Sequence, residues 1–417
     1  MKYAATSPMV RPPHRRVRSR PAGHLALLLG GALAVAAGSG CGPGLSATDA
    51  DRTPAIDRAR LCAAIDASLD RARDGRRLDA AEQGAWQVVH GILAFGAELP
   101  LAHDGTVSPA IDHLLGGGAL RGWVLRPGPI GPRALVEEGS TTGQGHPDQW
   151  IGYLAQAGRG GVPADTPIVV AGRRSTLRDM LAQAQSDLVA GQEATWTLMA
   201  LAAWAPHDAA WTAADGSRWT TERVVAMEAD ADLIAAACGG MHRLYGLAVA
   251  LDAHRMATGR GDDALAGGWA TARDRLADAI EVIRTYQQPD GSFSVHHLSR
   301  PGGSADVVAT LSASGHAFEV VARALPVDRL TDEWVMRAAQ RLVGLLDETA
   351  DLDLECGALY HSVHGLLVWR QRVCGATADF SPSPPLTPPS GSPRDANGPR
   401  RAARGDRRSR RSWSSPR

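Results

Sequence analysis

CGALYHSVHGLLVW, residues Cys356–Trp369, is the stretch that decides the fold, because it is apolar on nearly every side of a helix. A helix of that character is buried by neighbouring elements over most of its surface. Five other segments share this character, and they are AWQVVHGILAFG (85–96), HPDQWIGYLAQAG (146–158), EATWTLMALAAW (193–204), CGGMHRLYGLAVALDAH (238–254) and GHAFEVVARAL (315–325). The sequence therefore repeats one kind of buried helix along its central region.

A more polar segment precedes most of the buried ones. These polar segments span 55–74, 175–190, 220–236, 269–288 and 331–349. Their Arg, Asp and Glu residues fall opposite Leu, Ile, Val and Ala at helical spacing, which is typical of a helix with one face in solvent. The segment before the second buried helix, SPAIDHLLGGG (108–118), is shorter and leads into a long Gly/Pro loop. Buried inner helices that alternate with polar outer ones predict an all-α fold, an α6/α6 toroid (barrel) over residues 55–375.

The two ends of the chain differ in composition from this central region. Residues 1–41 are predicted to be an export signal, with the basic stretch RPPHRRVRSR, the apolar core LALLLGGALAVAAG and small residues before Cys41. The apolar core is short and Gly-rich for a membrane span. GSGC resembles a bacterial lipobox, which implies lipidation of Cys41 and a membrane anchor. We expect an exported protein of the periplasm or cell envelope, with a linker at 42–54 and a disordered Pro/Ser/Arg-rich tail at 376–417.

The charge of the chain limits the partners that we expect. It has 44 basic and 44 acidic residues, so its formal net charge is zero, and Lys2 is its single lysine. A nucleic-acid-binding domain usually carries a basic patch or stripe, and the central region has none. The sequence therefore predicts no specific nucleic-acid partner, and the Arg-rich tail could contact anionic lipid or nucleic acid only nonspecifically.

One turn carries a resemblance to a known family. YQQPDGSFS, residues Tyr286–Ser294, resembles the Q-x-x-D-G-S-W turn of terpenoid cyclases of the squalene-hopene type, with Phe293 in the Trp position. In that family the turn ends an outer helix and ties it to the next inner one. The resemblance implies an α/α toroid and says nothing about substrate. From the residues alone, Pro289–Ser292 is a good turn sequence whatever its ancestry.

Polar residues of the inner segments collect near the predicted helix starts. If each inner helix follows an outer one through a short connection, all inner helices run in the same direction and their N-termini share one end. Helix N-termini expose N–H groups and the positive end of the helix dipole, which favours anions and thiolates. The candidate ligand-binding residues at this mouth are His90, His146, Asp148, Glu193, His242, His316, Glu319, Tyr360 and His364.

A second resemblance concerns metal. In the β-subunits of protein prenyltransferases, zinc is held by an Asp, a Cys near one inner-helix start and a His that follows a Tyr. AACGGMHRLYG resembles the Cys element and LYHSVHGL the Tyr-His element, which implies Cys238 and His361 as zinc ligands. Ala236 stands in the Asp position, so Cys356, His242 or His364 would have to complete the set. Lanthionine cyclases use a Cys, Cys, His zinc site in a related barrel, and such mixed sets suit zinc. We therefore keep Cys238, Cys356 and His361 as candidate zinc ligands.

An exported protein can also use cysteines in disulfides. Cys62 begins the first outer helix and Cys374 ends the last inner one, and first and last helix pairs are neighbours in a closed ring. The sequence therefore predicts a disulfide between Cys62 and Cys374. Cys238 and Cys356 could form another at the mouth, which would remove both thiolates from zinc.

Several chemistries find no support in the sequence. It has neither the D-x-D-D nor the D-D-x-x-D acid motif of terpene chemistry, and no G-C-G-E-Q thioester motif. Inverting glycosidases need two opposed carboxyl groups, for which Asp148, Glu193 and Glu319 are candidates without a selected pair. The expected function is therefore binding of a small ligand, peptide or anion at a His/Cys-lined mouth. The alternative is a zinc-dependent or glycan-acting enzyme that uses the same mouth.

Overall fold

The structure, a computed structural model, describes residues 56–75, 78–137, 145–158, 161–354 and 356–375. The predicted export signal, the lipidation of Cys41, the linker and the tail lie outside these residues. The described chain is mostly helical, in agreement with the predicted all-α class. Its helices are α1 (Arg58–Asp74), α2 (Ala85–Phe95), α3 (Ala110–Leu115), α4 (Gln149–Gln156), α5 (Leu177–Asp187), α6 (Thr195–Trp204), α7 (Thr221–Ala229), α8 (Met241–Thr258), α9 (Gly267–Thr285), α10 (Val307–Ala324), α11 (Glu333–Glu348) and α12 (Cys356–Val373). None of them combines the length and apolarity needed to cross a bilayer.

Short strands interrupt the helical pattern, and the sequence interpretation did not include them. They are β1 (Leu78–Asp79), β2 (Pro100–His103), β3 (Thr106–Pro109), β4 (Trp123–Pro127), β5 (Pro132–Val136), β6 (Pro167–Val170), β7 (Arg173–Thr176), β8 (Ala210–Thr212) and β9 (Arg218–Thr220). The pairs β2–β3, β4–β5, β6–β7 and β8–β9 are antiparallel hairpins, and β1 joins β2 in parallel. Three of the hairpins lead directly into α3, α5 and α7.

The even-numbered helices pack against one another in chain order. Helix α2 contacts α4, α4 contacts α6, and the series continues through α8, α10 and α12, after which α12 contacts α2. Their burial matches the apolar pattern: every residue of α12 from Cys356 to Arg370 is buried. Helix α9, by contrast, buries Trp269, Ala272, Leu276, Ala279 and Ile283, which recur every three or four residues on one face. The even-numbered helices are therefore the buried set and α9 is amphipathic, as the sequence predicted.

Small residues let neighbouring buried helices approach closely, most clearly between α10 and α12. A Cβ added at Gly365 of α12 would lie 3.0 Å from the backbone nitrogen of Glu319, and one added at Gly315 of α10 would lie 2.8 Å from the backbone nitrogen of Ser362. Real Cβ atoms do not pack that closely against backbone, so a side chain at either position would push the two helices apart. This contact brings Glu319 of α10 beside the polar side chains of α12.

The turn after α9 ties three helices together. Gln287 Nε2 donates to the Trp334 carbonyl oxygen of α11 (2.9 Å) and to the Gly291 carbonyl oxygen (3.0 Å). Asp290 accepts from the backbone and hydroxyl of Ser292 and from Arg341 of α11. The backbone N–H of the buried Phe293 donates to the Ser314 hydroxyl of α10 at 3.0 Å. This turn therefore holds α9 and α11 to α10.

A disulfide joins Cys62 of α1 to Cys374 after α12, the pairing expected from the sequence, with a Cα–Cα distance of 6.1 Å. The bonded cysteines are 312 residues apart. Cys238 and Cys356 are thiols, so the alternative disulfide between them does not form. Beside the disulfide, Arg370 of α12 donates to both carboxylate oxygens of Asp66 in α1 (2.7 and 2.9 Å). The first and last described helices are thus joined covalently and by an ion pair.

Replacing both bonded cysteines by serine should lower the free energy of unfolding by about 2–5 kcal/mol, because the unfolded chain loses a very long closed loop. Urea unfolding followed by circular dichroism measures the change. A reducing agent should destabilise the natural chain and leave the double variant unaffected. Equal free energies of unfolding for the oxidised natural chain and the double variant would contradict a stabilising role of this disulfide.

Candidate metal centre

Polar side chains from five buried helices meet in the interior. His90 of α2, Tyr153 of α4, His242 of α8, His316 of α10 and His361 of α12 are each at most 6% exposed. The His316 and His361 rings have centroids 4.1 Å apart, the His242 ring lies 5.1 Å from each of them, and the His90 ring lies 5.4 Å from His361. A buried group of imidazoles at these distances is unusual, because histidine is polar on both ring nitrogens.

Cys238 reaches this group from the turn that precedes α8. Cys238 (φ 50°), Gly239 (φ 59°) and Gly240 (φ 79°) all adopt left-handed backbone conformations. A Cβ at Gly239 would lie 2.3 Å from Cβ of His297, so only glycine fits there. The left-handed conformation costs a cysteine of order 1 kcal/mol and persists only where its surroundings hold it. The residues packed around the turn therefore hold the backbone of Cys238 in this conformation.

Three potential metal donors converge at this point. One ligand atom from each of Cys238, His242 and His316 lies within 4.8 Å of the other two. In the part of the chain that the structure describes, they form the one set of three His, Cys, Asp or Glu residues that meets this distance criterion. Cys238 is partly exposed, whereas the two histidines are buried. The set contains Cys238 and His242, both candidate zinc ligands from the sequence, and His316, which was not one, whereas Cys356 and His361 are outside it.

Hydrogen bonds fix which nitrogen of two histidines is available. His316 Nδ1 lies 2.7 Å from the Ser312 carbonyl oxygen, and His90 Nδ1 lies 2.7 Å from the Trp86 carbonyl oxygen. A carbonyl only accepts, so each Nδ1 carries the proton and donates it. Burial lowers the pKa of His316 to about 3 and that of His90 well below its usual value, so both rings are neutral. Each Nε2 therefore presents a lone pair, the form in which imidazole binds metal.

His242 lies between the thiol and the histidines. Its Nδ1 is buried without a hydrogen-bond partner. Its Nε2 lies 3.4 Å from His361 Nε2. Burial, followed by the nearby His361 and His316, lowers the pKa of His242 well below its usual value. A neutral buried imidazole without a partner on one nitrogen costs about 1–3 kcal/mol.

Glu319 of α10 holds two histidines of α12. His361 Nδ1 lies 2.9 Å from Glu319 Oε2, and His364 Nδ1 hydrogen-bonds Glu319 Oε1. A carboxylate only accepts, so both Nδ1 atoms are the donors. Burial by itself opposes the charge of Glu319, but His361 and His364 outweigh it by charge and hydrogen bonding, and they hold the pKa of this carboxyl well below its usual range. The carboxylate therefore fixes the orientation of His361 and directs its Nε2 toward the centre of the cluster.

Tyr153 closes the other side of the cluster. Its hydroxyl lies 3.1 Å from His90 Nε2 and 3.2 Å from His361 Nε2, and Gln149 Nε2 donates to it at 3.3 Å. Burial raises the pKa of Tyr153 well above its usual value, so the hydroxyl keeps its single proton. One proton cannot serve two lone pairs at once. His90 Nε2 is an acceptor, so the Tyr153 hydroxyl can donate its proton there. His361 Nε2 then receives no hydrogen bond from Tyr153 and can bind another partner.

A second polar group lies beside the cluster, nearer the surface. His146 Nδ1 and Glu193 Oε2 are 2.7 Å apart, and the His146 ring lies 5.5 Å from that of His242. Burial would raise the pKa of Glu193, but the hydrogen bond and charge of His146 lower it below the usual value.

Asp148 accepts a hydrogen bond from the Thr197 hydroxyl at 2.5 Å. Burial raises the pKa of Asp148 to about 6.

The predicted site residues divide into those that gather and those that do not. The gathered ones are His90, Cys238, His242, His316, Glu319, His361 and His364. Tyr360 instead packs edge-on against Phe95, with ring centroids 6.2 Å apart, so only the His of the Tyr-His element enters the cluster. Cys356, although buried, is not in the converging set. The gathered histidines are buried rather than arranged around an open mouth, partly because α10 begins at Val307 and places His316 at mid-helix.

Sequence reasoning missed Tyr153, Gln149 and the true start of α10. Asp306 caps α10 by accepting from the backbone N–H groups of Val308 and Ala309, and an Asp before an apolar run is a recognisable start signal. Tyr153 lies inside the buried segment 146–158, and a buried tyrosine hydroxyl needs a polar partner. That requirement was readable from the sequence and points to the interior of the helix group.

No known protein family, curated protein or solved structure matches this chain. The conclusions below therefore depend on the geometry of the described residues.

Asp148→Asn should remove a pH dependence of stability. The folded-state pKa of Asp148 is about 6, above its ordinary value of 3.8, so the folded chain holds an extra proton between these pH values. Stability from this group is present at low pH and is lost as the pH rises through about 6. The variant should be more stable than the natural chain at pH 8, by at most about 2–3 kcal/mol, and equal to it at pH 4. Urea unfolding at both pH values checks this, and parallel pH profiles would contradict it.

Glu319→Gln should destabilise the folded chain by about 2–4 kcal/mol, because an amide nitrogen would face one of two imidazole N–H donors in the interior. The matched control is Glu193→Gln, which alters a single His contact on a half-buried carboxyl and should cost less. Thermal unfolding of the two variants measures the difference. Equal losses of stability in the two variants would show that the contact of Glu319 with two histidines does not add to the stability of the fold.

Proposed function

We propose that this protein is an α6/α6 toroid whose centre binds one divalent transition-metal ion of the zinc class. The toroid is supported by the order of helix contacts, in which each even-numbered helix meets the next and α12 returns to α2. The buried α12, the amphipathic α9 and the disulfide between the first and last described helices fit that arrangement. The turn around Gln287, similar to that of terpenoid cyclases, agrees with it.

The convergence of Cys238, His242 and His316 within 4.8 Å is the observation that carries the metal proposal. Thiolate and imidazole together are typical zinc ligands. Ligand atoms on one tetrahedral zinc lie about 3.3–3.6 Å apart, so the three donors need to approach one another by at most about 1.5 Å on binding. The lone pair of His316 Nε2, left available because Nδ1 donates to the Ser312 carbonyl, is the feature that a cation in this interior would engage.

The same geometry weighs against a wide binding mouth for a peptide or glycan. Except for His146, the histidines expected to line such a mouth are buried, and His361 lies within hydrogen-bonding distance of Tyr153 and His242. Glu319, a candidate glycosidase carboxyl, is enclosed between His361 and His364, where it cannot face a sugar. A bound ion would supply a fixed positive charge at a place where the protein offers a thiol and neutral imidazoles. A metal ion therefore fits this centre better than a larger ligand.

Export to the cell envelope is part of the proposal. The Cys62–Cys374 disulfide supports it, because structural disulfides persist in oxidising compartments such as the bacterial periplasm. The signal-like composition of residues 1–41 agrees, and a lipid anchor at Cys41 would place the protein at a membrane surface.

Metal analysis of the purified full chain tests the proposal. We expect about one zinc-class ion per chain after dialysis, and loss of that ion in His316→Ala. The control is His254→Ala, which removes another buried histidine, stacked on Trp269 with ring centroids 4.0 Å apart, and should leave the metal content unchanged. Absence of metal from the natural chain after incubation with Zn²⁺ would overturn the proposal.

A further inference from the structure

We infer that His361 is the fourth ligand of this centre, so that the bound ion has a closed Cys/His₃ set and no open position. This inference rests on the proposed metal site and adds to it the coordination number and the role of the ion. A closed set defines a structural metal that links helices. An open position would instead be the mark of a catalytic metal.

The distance between His361 and His242 carries the inference. Their Nε2 atoms lie 3.4 Å apart. Two nitrogens bound to one tetrahedral zinc at about 2.05 Å lie about 3.3 Å apart, so this pair already has the spacing of two ligands on one ion. The His361 ring also lies 4.1 Å from that of His316, which is in the converging set. His361 is thus next to two of the three proposed ligands, but it lies outside the set whose donor atoms are all within 4.8 Å of one another, so it has to shift to join all three on one ion.

Glu319 gives His361 the form that a ligand needs. A metal-bound histidine usually donates its other ring N–H to a carboxylate or carbonyl, which fixes the ring and strengthens the donor nitrogen. His361 donates Nδ1–H to Glu319 at 2.9 Å, and His316 donates Nδ1–H to the Ser312 carbonyl. Both rings therefore direct Nε2 inward with the opposite nitrogen secured. The binding step releases the thiol proton of Cys238 and any proton on His361 Nε2 to solvent, while the metal takes the lone pairs.

The partners of His361 Nε2 point the same way. The atoms near it are the Tyr153 oxygen at 3.2 Å and His242 Nε2 at 3.4 Å. The single Tyr153 proton is shared with the acceptor His90 Nε2 at 3.1 Å. A cation at His361 Nε2 would leave the Tyr153 proton to His90.

The position of the ligands defines what the ion would do. Cys238 and His242 belong to the start of α8, His316 to α10 and His361 to α12, which are three buried helices that contact one another in succession. One ion would therefore cross-link three neighbouring inner helices. His242, His316 and His361 are at most 6% exposed and Cys238 is partly exposed, so three of the four ligands are shielded from solvent. We assign the ion a structural role within the ring.

Cobalt substitution of the full chain tests the closed set. Co²⁺ bound by the natural chain should give intense visible bands typical of a four-coordinate ion together with a thiolate charge-transfer band. Added thiocyanate or azide should leave these bands unchanged, because no position is open. In His361→Ala the affinity should fall by about 100-fold or more, and the same anions should shift the bands. Added imidazole should restore the spectrum of the natural chain by filling the space of the lost ring.

His364→Ala is the matched control, since it removes the other imidazole on Glu319 and leaves the His361–Glu319 bond in place. It should keep the anion-insensitive spectrum. Glu319→Gln should weaken metal binding by about 10- to 100-fold without opening a position. Anion-induced band shifts in the natural chain would overturn the closed set, even if His361→Ala does not fold. A natural chain that binds no Co²⁺ or Zn²⁺ would instead refute the proposed metal site itself.

Discussion

The buried carboxylate of Glu319 is the interaction on which the centre of the molecule depends. An ionised carboxyl in a protein interior costs several kcal/mol unless its oxygens are hydrogen-bonded. Here His361 and His364, one helical turn apart on α12, each donate one N–H to it. The pair can reach Glu319 only because Gly365 lets α12 approach the backbone of α10 closely. The hydrogen bonds to Glu319 therefore depend on the close packing of α10 and α12. A larger residue at Gly365 would separate the two imidazole donors from the carboxylate.

The sequence predicted the helical repeats well for a physical reason. A fully buried helix such as α12 is apolar on nearly every side, whereas α9 is apolar only at every third or fourth residue. Both patterns can be recognised within a short stretch of sequence. The hairpins were missed, although β2–β3 and β8–β9 enclose the sequences DG at 104–105 and 215–216, which are strong turn signals. Their strands are three or four residues long, so they carry too few residues for an alternating pattern. Short hairpins are therefore readable from their turns rather than from their strands.

The candidate site was predictable in part. That His361 and His364 share a face of α12 follows from their spacing. The same spacing placed Cys238 and His242 on one helix face, but Cys238 lies in a left-handed turn before α8. The partnership of His242 with His316 did not follow, because it depends on how far α10 extends before His316. Likewise, Tyr153 of α4 reaches His90 of α2 and His361 of α12 through tertiary packing, which no local pattern encodes. Composition located the polar residues, and only tertiary packing determined which of them touch.

The strained turn at Cys238–Gly240 indicates that the site is preorganised. Three consecutive left-handed residues are costly to order, and a helix start could be made without them by an ordinary capping residue. The chain instead accepts this cost where a thiol meets two neutral imidazoles. Residues with unfavourable local backbone conformations are concentrated at functional sites in proteins. With the lone pair of His316, the turn brings a thiol and imidazoles together, so a bound ion would find part of its ligand set already ordered.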